Sequence, residues 1–160
     1  MRAIDCYKKA FELDPTFAHA AYKAGSATLV LGRLDEADPW FDKTIELMPG
    51  YATAWDKKGD VRMFRKQYEE ALNYYERAVR ENPHLESPLS SKGKMLAELQ
   101  RYEEAVDAFD QCSRLHNNEY LDDLVARRAL SLLMAGRFQE ANKGFTEAVC
   151  LCPRDYSLRP

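Results

Sequence analysis

The chain has 160 residues, 31% of them charged, with a formal net charge of -3 and a sequence pI of about 5.7. Lysine and arginine are mixed with aspartate and glutamate throughout, so no single-sign field draws the protein to nucleic acid or to an acidic membrane. No run of 18 apolar residues occurs, and residues 1–9 carry Arg2 and Asp5 without the apolar stretch of a secretory signal, which leaves a soluble, cytoplasmic protein as the expectation.

Apolar residues recur at intervals of three and four along almost the whole chain, the helical signature, broken at regular points by turn residues. The first predicted element is a lone helix over about 1–14, closed by Pro15. A second helix carries Gly25 and stops at Gly32. The third carries Ala37 and Phe41; Asp35 is its predicted N-cap, which would put Pro39 in the opening turn, where a missing N–H costs little. Pro49 follows. Thr53, with Asp56 three residues later, is the predicted cap of the fourth helix, along which Trp55, Lys58, Gly59 and Arg62 run. Ala71, Tyr75, Ala78 and Val79 mark the fifth, opened by Glu69 and Glu70 against the helix dipole. Ser87 and Pro88 place proline at the first position of the sixth, which contains Gly93. The seventh opens on Glu103 and Glu104 and carries Ala105, Phe109 and Cys112. Asn117 and Asn118 supply the turn and cap that proline supplies elsewhere. Two extra residues extend the eighth helix, predicted to be the longest, as far as Gly136. The ninth holds Ala141 and Phe145, and the chain ends after Pro153 with a tail over 156–160.

These elements repeat. Ala3, Ala37, Ala71 and Ala105 are 34 residues apart and Ala141 follows after 36, each with an aromatic four residues later: Tyr7, Phe41, Tyr75, Phe109 and Phe145. Pro15, Pro49, Pro83 and Pro153 lie twelve residues past their alanine, and Gly25, Gly59 and Gly93 twelve residues before one, a slot that Ala129 fills in the last copy. Leu34, Tyr68, Tyr102 and Phe138 stand three residues upstream. Glycine inside a helix costs about 1 kcal/mol against alanine, so its recurrence predicts close approach of the paired helix.

A 34-residue period with this order of small residue, aromatic and proline resembles the tetratricopeptide repeat (TPR). The resemblance implies an all-α fold, a right-handed α-solenoid of antiparallel helix pairs, A then B, with about four full repeats plus an N-terminal half repeat. Its boundaries fall at 1–17 (helix B only), 18–51, 52–85, 86–119 and 120–155, the last with the two-residue insertion. The chain begins in mid-repeat and ends without a polar capping helix, so exposed apolar faces are expected at both ends. The expectation is a fragment of a longer array, or a chain that pairs its ends with another molecule.

The resemblance further implies a non-catalytic protein-interaction scaffold that holds a peptide or partner helix in a concave groove lined by the A helices. By register the groove collects Tyr22, Lys23 and Ser26 with His19 and Val30, then Lys57, Asp60 and Phe64 with Thr53 and Asp56. The later repeats add Ser91 and Lys94 with Ser87, Ser90 and Glu98, then Arg127 and Leu130 with Asp123, Ala126 and Met134. Lys23, Lys57, Ser91 and Arg127 share one helix-A position and form a discontinuous basic stripe suited to an acidic segment. Asp56, Asp60 and Glu98 are spaced to neutralise it through i,i+3 and i,i+4 pairs. The alternative functions are a self-associating homo-oligomeric array joined through uncapped ends and a non-catalytic segment of a larger enzyme.

More specialised relatives fit poorly. A chaperone-type carboxylate clamp would fall on Tyr22, Ser26, Lys57, Ser87 and Ser91, of which only Lys57 is basic. An asparagine ladder has no asparagines where Lys23, Lys57, Ser91 and Arg127 stand. A pentatricopeptide array that reads RNA has a longer period and a basic surface. No cofactor or metal is expected. Cys6, Cys112, Cys150 and Cys152 are too sparse for a disulfide framework, and Cys150 and Cys152, two apart on a helix, point about 200° from each other. Cys112 takes a small-residue packing slot, and His19, His84 and His116 read as surface histidines. Trp40, Tyr74 and Tyr102 read as packing residues. No Gly-rich phosphate loop or catalytic triad order occurs.

Overall fold

In the computed structural model, residues 2–115 and 121–151 are described, and every regular element among them is an α-helix. They are α1 (Arg2–Leu13), α2 (Ala18–Val30), α3 (Leu34–Leu47), α4 (Ala52–Phe64), α5 (Tyr68–Glu81), α6 (Glu86–Glu98), α7 (Tyr102–Leu115), α8 (Leu121–Met134) and α9 (Phe138–Leu151). Two compact units contain them, Met1–Pro88 and Leu89–Pro160. No described helix is long and apolar enough to cross a membrane. His116, Asn117, Asn118, Cys152, Pro153 and the tail over 156–160 lie outside the described residues.

The B helices α3, α5, α7 and α9 begin on Leu34, Tyr68, Tyr102 and Phe138, the residues that stand three before the repeated alanine. Each has acid in its first turn, complementing the positive end of the helix dipole: Asp35 and Glu36, Glu69 and Glu70, Glu103 and Glu104, Glu140. The turn before each B helix passes through the left-handed region, at Gly32 (φ 72), Lys66 (φ 59), Gln100 (φ 60) and Gly136 (φ 80). The two glycines are where the sequence predicts helix stops. In the middle copies a lysine and a glutamine adopt the same strained conformation.

Helix starts differ from the sequence expectation in three places. Thr53 is the second residue of α4, not its cap; the N-cap is Tyr51, which makes no side-chain cap bond. Because α6 begins at Glu86, Pro88 is its third residue rather than its first, and the Ser87 hydroxyl donates to Asp56 at 2.9 Å instead of capping. Asp35 lies inside α3, whose N-cap is Arg33, so Pro39 is an interior proline and the Asp35 carbonyl loses its i+4 donor. The predicted lengthening of the eighth helix falls at residues 116–120, outside the described residues.

In three of the described hairpins the A helix meets its B helix at a glycine and an aromatic ring. A Cβ added at Gly25 would lie 2.9 Å from the Phe41 ring, and at Gly59 or Gly93 only 2.5 Å from that of Tyr75 or Phe109. The last hairpin reverses the arrangement: Ala129 fills the A-helix slot and Gly144 on α9 makes the room, its added Cβ falling 2.9 Å from that of Ala129. Phe41, Tyr75 and Phe109 are fully buried. Ala37, Phe41 and Val61 form one core cluster, joined by Tyr22, Leu29 and Leu34; Val106, Leu132 and Ala141 form another, joined by Phe145.

Ion pairs lock successive hairpins in register. Along α3 and α4, Asp42 pairs with Lys58, Asp38 with Arg62 at 2.7 Å and Asp35 with Arg65, a descending series against an ascending one that fixes the two helices as antiparallel. The second unit pairs Asp110 of α7 with Arg128 of α8. Val106 packs on Leu132 one turn away, so α7 and α8 are antiparallel too.

Candidate functional site

In the first unit, the A-helix residues singled out by register divide into packed and projecting groups. Tyr22 packs on the Phe41 core cluster, and its ring centre lies 5.1 Å from that of Tyr51. The Tyr51 hydroxyl is 2.7 Å from His19 Nδ1, which ties the N-terminal ends of α2 and α4 together. Ser26 Oγ is buried and has no hydrogen-bond partner among the described residues. Lys23 lies with its ammonium 6.0 Å from the Tyr22 ring centre and makes no ion pair among the described residues. Val30 and Phe64, the last residues of α2 and α4, are 84% and 60% exposed.

Lys57 is already engaged. Its ammonium donates to Asp60 Oδ2 at 2.6 Å and lies 3.4 Å from Asp56 Oδ2. The other Asp60 oxygen accepts the Tyr75 hydroxyl at 2.9 Å. Burial works against a charge on Lys57, but Asp60 and Asp56 more than offset it and hold the ammonium pKa above its ordinary value. Asp56 is only 2% exposed, and burial pushes its carboxyl above the usual range despite Lys57. The i,i+3 neutralisation that the spacing of Lys57 and Asp60 allows is therefore present.

The second unit brings five of the register residues together, Lys94, Glu98, Arg127, Leu130 and Met134. Lys94 of α6 and Arg127 and Leu130 of α8 line one cavity of about 380 Å³, with Glu98, Tyr102, Phe109 and Met134 among the other walls. Arg127 Nε donates to Asp123 at 2.8 Å, an exposed i,i+4 pair. Lys94 and Glu98 make no ion pair or hydrogen bond among the described residues. Leu130 and Met134 are more than half exposed. Ser91 is partly buried and does not line this cavity.

A second set of cations follows the same period and serves packing. Lys58 is 5% exposed, held by Asp42 and Asp38 with its ammonium 5.3 Å from the Tyr74 ring centre. Arg62 bonds Asp38 and lies over the same ring at 5.5 Å. The signal for this row was available: Asp42 precedes Lys58, and Asp110 precedes Arg128, at matching repeat positions. Trp40 packs edge-on against Phe11, and Tyr74 stacks on Trp55. Cys112 is buried, while Cys6 and Cys150 are exposed. No group of three or more His, Cys, Asp or Glu positioned to hold a metal ion occurs among the described residues.

Known structures share this architecture. MamA is 20% identical over 92% of this chain and 85% of its own, with a TM-score of 0.83, and a fragment of MamA from Desulfovibrio magneticus RS-1 is 23% identical over 94% and 84%, with a TM-score of 0.82. YrrB, described as a TPR protein with an unusual peptide-binding site, is 25% identical over 96% of this chain and 78% of its own, with a TM-score of 0.78. No curated protein sequence matches the chain. Family profiles described as tetratricopeptide repeat match residues 1–52, 52–85 and 89–118. With that period, these helix pairs and these matches, the chain belongs to the tetratricopeptide repeat family and is a protein-interaction scaffold.

Proposed function

We propose that the A-helix faces bind a segment of a partner protein that carries carboxylates beside large apolar side chains. The observation that carries this reading is the contrast between two groups of cations on the A helices. Lys58, Arg62 and Arg128, which face the preceding B helix, are ion-paired, whereas Lys23 of α2 and Lys94 of α6 make no ion pair among the described residues, and the A helices expose Val30, Phe64, Leu130 and Met134. Unpaired cations beside exposed apolar surface favour a ligand that supplies both complements. Arg127 belongs to the same face: its exposed i,i+4 pair with Asp123 is worth only about 0.3–0.5 kcal/mol, so a partner carboxylate exchanges for Asp123 at little cost. Lys57 contributes shape more than charge, since Asp60 and Asp56 already neutralise it. The likeness to YrrB, a TPR protein with a peptide-binding site, supports a peptide as the form of ligand.

Selection of binders from a displayed random-peptide library tests the proposal. Enriched peptides are expected to combine Asp or Glu with Leu, Phe or Met, and the double variant Lys23→Glu/Lys94→Glu should lose at least about tenfold in affinity, the effect of one charge-assisted contact. Enrichment of basic peptides, or unchanged binding by the double variant, would overturn it.

A further inference from the structure

The cavity of the second unit has polarity along its length. On α6, Lys94 precedes Glu98 by one turn, and the two side chains share a face without bonding to each other. On α8, Arg127 precedes Leu130 and Met134. Since α6 and α8 are each antiparallel to α7, they run in the same direction. The cations Lys94 and Arg127 therefore lie toward the N-terminal side of the cavity, and Glu98 and Met134 toward its C-terminal side. The floor is the buried ring of Phe109 with the exposed side chains of Leu130 and Met134. A volume of about 380 Å³ falls in the range of binding pockets and accommodates one large apolar side chain with its flanking backbone.

We infer that this cavity takes a large apolar side chain with a carboxylate on one side of it only, and that Glu98 is the residue that enforces the one-sidedness. A carboxylate at the cationic end meets Lys94, which has no competing partner, and Arg127, which gives up only its weak surface pair. A second carboxylate at the other end would face Glu98 beside apolar walls, where like charges repel and no cation compensates. Lys94 thus selects for the first acid, and Glu98 selects against the second. This inference rests on the peptide-binding reading above and sharpens it to a ligand pattern.

The probes are short synthetic peptides in a Gly/Ser background with a central phenylalanine and with aspartates on neither side, on one side or on both, titrated by fluorescence anisotropy. One-sided peptides should bind about tenfold tighter than neutral ones, and two-sided peptides several-fold weaker than one-sided ones. Glu98→Gln should remove the penalty on the two-sided peptide, and Lys94→Met should remove the gain of the one-sided peptide. Both variants sit at partly or fully exposed positions, and their melting curves check that they fold. If peptides bind but rank the same in wild type, Glu98→Gln and Lys94→Met, the ligand pattern is wrong while peptide binding stands. If no peptide of the panel binds and library selection also fails, the parent reading falls with it.

Discussion

A methyl group at Gly59 would lie 2.5 Å from Cε1 of Tyr75, a fully buried ring whose hydroxyl is anchored on Asp60. The ring has little freedom to yield, so Gly59→Ala should cost about 1–3 kcal/mol in denaturant unfolding. Gly50 makes the control: an added Cβ there meets only the Glu81 carboxylate at 3.7 Å, and Gly50→Ala should stay within about 0.5 kcal/mol. Equal losses at the two sites would contradict the close-approach account. The need for glycine at this slot was legible from its recurrence, but its transfer to Gly144 in the last hairpin was not, because only the three-dimensional pairing shows which helix yields the room. Charge at the residue scale gives a second prediction. Burial would raise the carboxyl pKa of Asp38, but the hydrogen bond from Arg62 and the charges of Lys58 and Arg62 outweigh it and hold the pKa below 3.8. A lowered folded pKa means stability that is present above the unfolded value and lost as pH falls through the folded one. Wild type should therefore exceed Asp38→Asn in stability near neutrality, with the gap narrowing below about pH 4 as Asp38 itself protonates. A gap that stays constant down to pH 2 would show that the Arg62 and Lys58 pairs are not responsible.

At the scale of elements, the four turns that lead into the B helices form a natural experiment. All four pass through positive φ, yet two carry glycine and two carry Lys66 and Gln100. An L-residue in the left-handed region costs about 1–2 kcal/mol, more than the 0.4–1 kcal/mol that glycine adds to unfolded-chain entropy. Lys66→Gly and Gln100→Gly should each stabilise by up to about 1 kcal/mol, while Gly32→Ala and Gly136→Ala should destabilise by a similar amount. Thermal melts of the four variants check this, and gains at all four positions or at none would refute a shared turn geometry. The period alone located the B-helix starts, because Leu34, Tyr68, Tyr102 and Phe138 recur at fixed distance from the packed alanine. Cap chemistry misled where packing residues took the capping position. Phe17 and Tyr51 stand at the N-caps of α2 and α4 and make no side-chain cap bond, so Thr53 two residues on is drawn into the helix. Pro39 misled for a similar reason. Helix α3 starts two residues earlier than an N-cap at Asp35 would place it, so the proline falls two residues deeper in the helix than expected.

For the molecule as a whole, the repeat assigns two jobs to one kind of residue. Cations of the A helices at positions 58, 62 and 128 join hairpins, whereas among the described residues Lys23 and Lys94 make no ion pair and Arg127 is held by an exposed i,i+4 pair, which is the basis of the proposed partner site. Register groups the A-helix residues but does not show which cations are paired, since an i,i+3 neighbour such as Asp60 neutralises Lys57 only when both side chains take the rotamers seen here. The chain's net negative charge therefore coexists with local cationic sites, and partner affinity should fall as salt rises. The most direct test of a binding face built from A helices is amide hydrogen exchange read by mass spectrometry, with and without a saturating acidic-apolar peptide from the library selection. Protection should rise along α2, α4, α6 or α8, most at the segment holding Lys94 and at that holding Arg127 to Met134, with α3, α5, α7 and α9 unchanged. Protection confined to the B helices would contradict the account.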